Sequence, residues 1–268
     1  SNATSKWIFY LISFVLLLFL AIGIYKFRDG FLYYLGFKTD KNVETLSKEE
    51  RKLADIRIYE VLHKHDDKAI GFDVSEYQSE IDWEQTYHID ESFELSFVFI
   101  RATAGKNKVD SRFKENWKAS KERELIRGAY HYYRPNENSI AQAENFIKNV
   151  KLEKGDLPPV LDIEKLPKSQ SIDSLKVGLR RWLKKVEKHY KVKPIIYSGE
   201  SYYTDFLKEE FSDYPLWIAN YNFWRNHLED DWLFWQFTEK AQIQGIEGMV
   251  DVNIFNGNKN KLLLKCIR

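Results

Sequence analysis

The chain has 268 residues, of which 44% are hydrophobic and 30% are charged, and its formal net charge is +1. A chain of this length and composition can bury one large core or two small ones. The near-zero net charge argues against a polyanion as the main partner, so we expect no nucleic-acid binding. Its single cysteine, Cys266, excludes an intrachain disulfide and a cysteine-based zinc site.

The first 25 residues differ in character from the rest of the chain. Ser1–Ala3 resembles the remnant of a purification tag and is left out of the fold argument. From Trp7 to Tyr25, 19 consecutive residues carry no charge. This length favours a transmembrane anchor over residues 6–25, and the alternative is a secretory signal segment that is cleaved. Basic residues flank both ends of the segment, so the charge rule does not settle its orientation.

Residues 26–68 are predicted to connect this segment to a folded domain. Ser47 and Glu50 have the spacing of a helix capping box, in which each residue's side chain accepts a hydrogen bond from the other's backbone. A helix is therefore expected to begin there and to run towards His63. It is either a stalk or a helix packed on the next domain.

Residues 69–268 show short β-rich runs that alternate with charged helical stretches, which is the pattern of an α/β fold. Strands are predicted near 70–74, 97–103, 127–133, 157–163, 194–198, 215–221, 232–238 and 250–256. Helices are predicted as a short one after Ile81 and then at 113–125, 139–150, 171–190 and 201–211.

Five β/α units followed by three strands indicate an irregular TIM-like barrel without its last helices. The last two connections are short, which suits hairpins better than parallel crossovers. At least one late strand is therefore expected to run backwards.

Two predicted strand ends carry acidic residues. Asp73 ends the first strand, and Asp162 and Glu164 end the fourth. Reactive residues of parallel α/β barrels gather at the carboxyl ends of the strands. Side chains alternate along a strand, so positions 162 and 164 point to the same side. Burial and like charge raise the pKa of one carboxyl, which leaves one proton donor and one carboxylate, the pair that glycoside cleavage requires.

Further residues carry hydroxyl, amide or indole groups that suit contacts with a sugar. These candidate substrate-binding residues are Tyr130, Tyr132, Tyr197, Trp217, Gln236 and Gln78. The tyrosines either donate to a sugar or a catalytic carboxylate, or are buried with a satisfied hydroxyl. Trp217 is either a sugar platform or part of the core, and the two glutamines are expected at the rim. His131 alternates away from the tyrosines and is expected to be structural.

Short motifs follow one another in a fixed order from residue 70 to about 257. They are Gly71–Gln78 with Ile81–Trp83, then Phe99–Thr103, Gly128–Pro135, Leu161–Glu164, Ile196–Gly199, Leu216–Ala219, Trp235–Gln236 and Val250–Asn253. In this order they resemble the motifs of the family-25 glycoside hydrolases, the muramidase-type lysozymes. The order is more specific than any single motif, and it leaves residues 1–69 uncovered.

The resemblance implies an enzyme that hydrolyses the β-1,4 bond between N-acetylmuramic acid and N-acetylglucosamine in peptidoglycan. It also implies that Glu164 is the general acid/base, that Asp162 stabilises positive charge, and that Asp73 and Asp251 are the other acidic site positions. A parallel last strand would put Asp251 at the wrong end of the barrel, so the resemblance requires that this strand be reversed. No metal or cofactor is expected, because carboxyl groups suffice for this chemistry.

We therefore expect a monomeric enzyme of the cell envelope that acts on peptidoglycan glycan strands. It would be held to the membrane through residues 6–25, or secreted if that segment is cleaved. Two alternatives stay open: a non-catalytic protein that binds wall glycans, and a glycosidase that acts on another N-acetylglucosamine polymer. The presence of all four acids speaks against the first alternative, and the identity of the products would decide the second.

Overall fold

The computed structural model of the chain describes residue 7 and residues 10–23, 46–90, 92–228 and 231–268. The chain forms two compact units, residues 1–57 and residues 58–268. Helix α1 covers residues 10–23 of the first unit. Helix α2, Lys48–Lys64, spans the boundary between the two units.

The predicted membrane segment, residues 6–25, lies partly outside the described residues. Nearly all of the α1 side chains are exposed. No helix in the described ranges is both long enough and apolar enough to cross a membrane. The anchor or signal segment therefore stays a prediction, as does the part of the connector over residues 26–45, which is not among the described residues.

Helix α2 begins at the predicted capping box. The Ser47 amide donates to the Glu50 carboxylate at 2.9 Å, and the Glu50 amide donates to Ser47 Oγ at 3.2 Å. These bonds satisfy backbone groups that a helix start leaves without partners. Towards its other end, Ile58, Val61 and Leu62 join the main apolar core of the second unit. This end of α2 is thus a packed helix rather than a free stalk.

The described residues of the second unit form ten strands. In chain order they are β1 (Ile70–Val74), β2 (His88–Ile89), β3 (Phe93–Ala104), β4 (Lys108–Val109), β5 (Ile126–Tyr132), β6 (Val160–Asp162), β7 (Ile195–Gly199), β8 (Leu216–Ala219), β9 (Phe234–Ala241) and β10 (Val250–Phe255). All except β2 and β4 close into one barrel of eight strands. This confirms the predicted barrel. The two-residue strands β2 and β4 pair with β3 and were not predicted.

Helices fill most of the gaps between the barrel strands. They are 3-10 turns at Glu76–Gln78 and Trp83–Gln85, then α3 (Phe113–Glu122), α4 (Ser139–Asn149), α5 (Ile172–Tyr190), α6 (Glu200–Tyr202), a π-helical turn (Tyr203–Leu207) and α7 (Lys208–Phe211). A last helix, α8 (Lys259–Leu263), follows β10. The side chains of Asn138 and Ser171 cap α4 and α5. The described residues between β8 and β9 contain no helix, as predicted.

One barrel strand, β10, runs against its neighbours. It is antiparallel to both β9 and β1, whereas β8 and β9 are parallel. Residues 242–249 join β9 to β10 and are too few for a parallel crossover, so the chain must turn back. The predicted reversal is confirmed and is limited to this strand. The reversal brings the residues after β10 next to the residue before β1. There the Ala69 amide donates to the Gly257 carbonyl at 2.8 Å.

Aromatic side chains fill the barrel interior. The Phe99 ring stacks on Trp217 with centroids 4.3 Å apart, and Phe234 meets Phe99 edge-on at 5.0 Å. Each of these three residues is at most 2% exposed. Burying an apolar side chain of this size stabilises a fold by roughly 1.5–3 kcal/mol. These rings fill the barrel interior, and a cavity lies at the carboxyl ends of the parallel strands.

Candidate active site

A cavity of about 220 Å³ opens at the carboxyl ends of the parallel strands. It is lined by Asp73, Val74, Ser75, Tyr77, Gln78, Arg101, Tyr130, Tyr132, Asp162, Glu164, Tyr197, Trp217, Gln236 and Asp251. The lining includes all four predicted acids and all six predicted substrate contacts. The fold therefore gathers into one cavity residues that lie far apart in the sequence.

Strand register explains how the acids meet. Asp73 on β1 is the direct partner of Asp251 on β10. Because β10 is reversed, its first residues lie beside the last residues of β1. Asp162 ends β6 between Tyr132 of β5 and Tyr197 of β7. Glu164 follows two residues later and lines the same cavity.

The Asp73 carboxylate is held by two side-chain amides. Its Oδ2 accepts from Gln236 Nε2 at 2.7 Å and from Asn253 Nδ2 at 2.8 Å. Burial raises the pKa of Asp73 to about 7, and the bonds from Asn253 and Gln236 oppose that rise because they favour the ionised form.

The two amides are oriented in turn by aromatic side chains. The Trp217 indole N–H donates to Asn253 Oδ1 at 2.8 Å. The Tyr197 hydroxyl donates to Gln236 Oε1 at 2.7 Å, and the Tyr221 hydroxyl donates to the same oxygen. Both amide nitrogens are thereby directed at Asp73.

The other three acids have raised pKa values as well. Burial raises the pKa of Asp251 well above its ordinary value, and the charge of Asp73 adds to the effect. Burial, followed by the charges of Glu164 and Asp73, does the same to the pKa of Asp162. Asp162 Oδ1 is buried and has no hydrogen-bond partner among the described residues. An acceptor of this kind is costly to leave unpaired, so it is suited to a donor on a bound molecule.

Glu164 differs from the three aspartates because the residue is exposed at the mouth of the cavity. Partial desolvation of its carboxyl by the surrounding wall raises its pKa, while Lys165 and a hydrogen bond from Tyr197 oppose the rise. The acids share protons as a group, and Glu164 is the member that an incoming ligand reaches first.

Arg101 is a cavity residue to which the sequence analysis assigned no role. Of the described residues that line the cavity, it alone carries a positive charge. Its Nε donates to Asp110 Oδ2 at 2.8 Å, and its second guanidinium nitrogen pairs with Glu76 at 2.9 Å. The guanidinium also lies 4.6 Å from the centre of the Tyr77 ring. Arg101 lies two residues after Phe99 on β3, so the alternation of side chains along the strand indicates that both face the barrel interior.

Asn253 and Tyr221 also escaped the sequence analysis as site residues. Asn253 shares a strand face with Asp251, so alternation on β10 pointed to it. Tyr221 lies in the connection after β8, where no periodic pattern indicates direction.

Three of the predicted contacts are tied to protein partners, and one of them, Gln236, lies deeper than expected. Gln236 was expected at the rim, yet it is 2% exposed and bonds to Asp73. Trp217 is also 2% exposed and forms part of the cavity floor. The side-chain Oε1 of Gln78 accepts from the Ser75 amide at 2.8 Å, which closes the turn after β1. Protein partners already occupy part of the hydrogen-bonding capacity of all three side chains.

Tyr130 and Tyr132 line the cavity and are only partly buried. The Tyr130 ring meets Trp217 edge-on at 6.4 Å, and Lys165 Nζ lies 5.6 Å from the centre of the Tyr132 ring. Both tyrosines thus keep part of their surface for a ligand.

His131 has the structural role that its alternation predicts. It is fully buried, with Nδ1 at 2.7 Å from Thr103 Oγ1 and Nε2 at 3.1 Å from Gln142 Oε1. Burial lowers its pKa to about 4. The neutral ring therefore bridges β3 and α4 from outside the cavity.

Comparisons with known proteins agree with this geometry. Residues 72–246 match the model of the family described as Glycosyl hydrolases family 25, a range that contains three of the four acids and stops before Asp251. The uncharacterized protein YegX of Escherichia coli K12 is 42% identical over 196 residues, which cover 72% of this chain and 71% of YegX. Lysozyme M1 of Streptomyces globisporus is 33% identical over 208 residues, or 72% of this chain and 69% of that protein. The crystal structure of a bacterial lysozyme from Streptomyces coelicolor superimposes with a TM-score of 0.66 at 29% identity, over 74% of this chain and 97% of that one.

Proposed function

Because this chain belongs to family 25 of the glycosyl hydrolases, we propose that Glu164 is the acid of the reaction and that Asp73, Asp162 and Asp251 set its electrostatic surroundings. The chain is a glycoside hydrolase of the lysozyme type, and its substrate is peptidoglycan. One observation carries the assignment of the acid: four carboxyl groups line one cavity, and only Glu164 among them is exposed.

Glu164 supplies the proton that bond cleavage needs. The bond from the anomeric carbon to the glycosidic oxygen breaks, the electron pair goes to that oxygen, and the oxygen takes the proton of Glu164. A water molecule then adds to the anomeric carbon and returns a proton to the Glu164 carboxylate. The raised pKa of Glu164 keeps its proton available closer to neutral pH.

Asp162 stabilises the positive charge that develops at the anomeric carbon. Burial and the charge of Glu164 raise the pKa of Asp162, so its ionised form needs a hydrogen-bond donor. The 2-acetamido N–H of the substrate is a donor of the right kind for the unpartnered Oδ1. Binding would therefore ionise Asp162 and orient the acetamido group in one step.

The six candidate contacts fall into two groups. Tyr130 and Tyr132 keep accessible surface in the cavity, and we assign them to direct sugar contact. The neighbouring Tyr77 ring, which is 78% exposed at the mouth, joins them as a stacking surface. The other four, Tyr197, Trp217, Gln236 and Gln78, act mainly by holding the acids and the first turn in place.

Replacing Glu164 by glutamine tests the acid. Glu164→Gln keeps the size of the side chain and removes the proton donor, so kcat/KM on purified peptidoglycan should fall by roughly 10²–10⁴-fold. The melting temperature should stay within error of the wild type. The exposed Glu84→Gln serves as the control and should keep full activity. A Glu164→Gln variant as active as the wild type would exclude Glu164 as the acid.

The products identify the bond that is cut. Borohydride reduction followed by mass spectrometry distinguishes a new reducing end on N-acetylmuramic acid from one on N-acetylglucosamine. Cleavage by this enzyme should give reduced N-acetylmuramic acid ends. Faster turnover of chitin oligosaccharides than of peptidoglycan would favour the alternative polymer, and binding without any new ends would favour a non-catalytic glycan-binding protein.

We also propose that residues 6–25 act as a membrane anchor and that the catalytic domain lies outside the cytoplasm. The support is the run of 19 uncharged residues together with a substrate that lies in the cell wall. After alkaline extraction an anchored chain stays in the membrane fraction, whereas a cleaved chain is found in the medium. The monomeric state remains a prediction that analytical ultracentrifugation would test.

A further inference from the structure

Helix α5 and the residues just after it carry a strong local excess of positive charge. Between Ser174 and Lys193 there are eight basic residues and one acidic residue, Glu187, which gives a local net charge of +7. The formal net charge of the whole chain is only +1. Charge of one sign that is concentrated on one surface attracts molecules of the opposite charge.

Half of these basic residues already have partners on neighbouring parts of the fold. The partner acids belong to α4, to α7 and to the turn after α7. The pairs are Lys176 and Arg180 with Glu210, Lys185 with Glu144, and Lys193 with Asp213. These contacts help to hold α5 against its neighbours, so the four cations that make them are not available to a ligand.

The other four basic residues form what we call the α5 crest: Arg181, Lys184, Lys188 and Lys191. All four are exposed. No ion pair joins any of them to another described residue. Arg181, Lys184 and Lys188 recur at spacings of three and four residues, so they share one face of the helix within about 10 Å of its axis. Lys191 continues the series directly after the last turn.

The opposite face of α5 fixes the direction of the crest. Its apolar side chains are buried in the core, and they are Leu175, Leu179, Trp182, Leu183 and Val186. A helix anchored along its whole length cannot rotate to cover its charges. The crest therefore presents its four cations to the solvent on the outer wall of the barrel.

Basic groups also lead from the catalytic cavity towards the crest. The connection from β6 to α5 carries Lys165 and Lys168, and both are exposed. Lys165 Nζ lies 5.6 Å from the centre of the ring of Tyr132, which lines the cavity. Arg181 comes nine residues after the first residue of α5, or about 14 Å along the helix. A polymer held in the cavity thus meets positive charge at the mouth and again on the outer wall.

We propose that the α5 crest is a second contact with peptidoglycan, and that it binds the carboxylates of the stem peptides while the cavity holds the glycan. Each stem peptide hangs from the lactyl group of N-acetylmuramic acid and carries free carboxylates. A polymer that is already bound in the cavity has a high effective concentration at a second site on the same domain. This inference rests on the proposed function, because it takes the polymer in the cavity to be peptidoglycan.

The four contacts are individually weak and act together. Exposed ion pairs contribute little each and are screened by salt. Charges at the edge of an interface affect mainly the rate of association and its dependence on salt. The crest should therefore strengthen binding to the insoluble polymer at low salt without changing the chemical step.

Two variants of the full chain with the same change of net charge test the crest. The crest variant carries Arg181→Gln, Lys184→Gln, Lys188→Gln and Lys191→Gln. The control variant removes four exposed lysines from other elements by Lys52→Gln, Lys114→Gln, Lys261→Gln and Lys265→Gln. Sedimentation with insoluble peptidoglycan in the cold measures binding. At low salt the dissociation constant of the crest variant should rise by about fivefold or more, whereas that of the control should stay within about twofold of the wild type.

Chemical treatment of the polymer identifies the anion. Amidation with a carbodiimide and ammonia neutralises the carboxylates of peptidoglycan. The wild type should bind amidated peptidoglycan as weakly as the crest variant binds the untreated polymer, and the crest variant should not distinguish the two. The polymer is first treated with acid to remove attached phosphate polymers. If the crest binds only wall material that retains those phosphate polymers, the assignment to stem-peptide carboxylates is wrong.

Turnover provides an independent readout. On soluble glycan strands without stem peptides, kcat/KM of the crest variant should equal that of the wild type, because the substitutions leave the cavity intact. On insoluble peptidoglycan at low salt, KM should rise while kcat stays the same. A fall in kcat on the soluble strands would show that the substitutions disturb the barrel. In that event the single variants Lys184→Gln and Lys188→Gln, each with a smaller loss of binding, replace the combined one.

The inference is overturned if the crest variant and the control variant bind peptidoglycan equally well, or if amidation leaves binding of the wild type unchanged. Sedimentation needs no turnover, so this outcome is distinct from failure of the proposed function. If Glu164→Gln is fully active, the assignment of the acid is wrong and the binding result still decides the crest. If Glu164→Gln is inactive and the crest variant binds like the wild type, only the role of the crest is wrong.

Discussion

Asp73 and Asp251 are direct partners on the antiparallel strands β1 and β10, and both side chains line the catalytic cavity. Burial raises the pKa of both carboxyl groups, and the charge of Asp73 raises the pKa of Asp251 further. The pair therefore keeps a proton in a pH range where an exposed aspartic acid has lost it. Because the reversed strand β10 places these two buried carboxyl groups together, their protonation makes the stability of the fold depend on pH.

Asp73→Asn should remove part of the dependence of stability on pH. The pKa of Asp73 is raised to about 7 by burial, so the folded state binds more protons than the unfolded state between about pH 4 and pH 7. Asp73 consequently destabilises the fold increasingly as the pH rises through that range. The melting temperature of Asp73→Asn minus that of the wild type should therefore rise by about 2 °C or more as the pH increases through this range. The exposed Asp66→Asn is the control, and a constant difference across the range would contradict the prediction.

His131 should act on stability in the opposite sense. Burial lowers the pKa of His131 to about 4, so its contribution is complete above pH 6.5 and is lost as the pH falls towards 4. His131→Phe leaves buried Thr103 and Gln142 without this partner and should destabilise the fold by about 2–3 kcal/mol at neutral pH. Urea unfolding at pH 7.5 and pH 5 measures the loss, which should shrink at the lower pH. The turnover per folded molecule should not change, and the exposed His63→Phe should have little effect on either quantity.

Arg101→Met should be costly because it leaves two carboxylates without their buried partner. Arg101 pairs with Glu76 and Asp110 and is 7% exposed. Breaking a buried pair from one side typically destabilises by about 3–5 kcal/mol. Arg112→Met breaks the exposed pair with Glu115 and should cost no more than about 0.5 kcal/mol. Equal losses of unfolding free energy in the two variants would show that the Arg101 network contributes no more than a surface ion pair.

Gly71→Ala should strain the pairing of β1 with β3. A Cβ at position 71 would lie 2.4 Å from the Phe97 carbonyl oxygen, which belongs to the backbone and cannot turn away. We expect a loss of about 3 kcal/mol in the free energy of unfolding, at the upper end of overpacking costs. Gly199→Ala is the matched control, because nothing lies within 4 Å of its Cβ and its φ is −62°. The control should unfold within about 0.5 kcal/mol of the wild type, and a similarly mild Gly71→Ala would mean that the strands can separate to admit a methyl group.

The sequence predicted the barrel because its strands are short apolar runs set between charged segments. Asp73, Asp162 and Glu164 could be placed because parallel strands end at one rim and side chains alternate along a strand. Asp251 could be placed only by assuming a reversed last strand, which the short connection before it favoured.

Sequence patterns did not reveal the side chains that hold the acids in place. Gln236 was expected at the rim because nothing local indicates that its amide meets Asp73, a residue 163 positions away. That contact depends on the register of β9 with β10, which shifts at two places along the pair. Tyr221 lies in a connection without periodicity, and its contact with Gln236 follows from tertiary packing alone. β2 and β4 have two residues each and are too short to leave a pattern.

The hydrogen bond between Ala69 and Gly257 means that the polypeptide leaves the barrel beside the point where it came in. Both positions are at the foot of the strands, and the catalytic cavity is at the opposite end. A barrel with all eight strands parallel would need a further crossover to bring its ends together. The two segments that enter and leave the sheet therefore lie side by side, so a change made at either of them is at the end of the barrel away from the cavity.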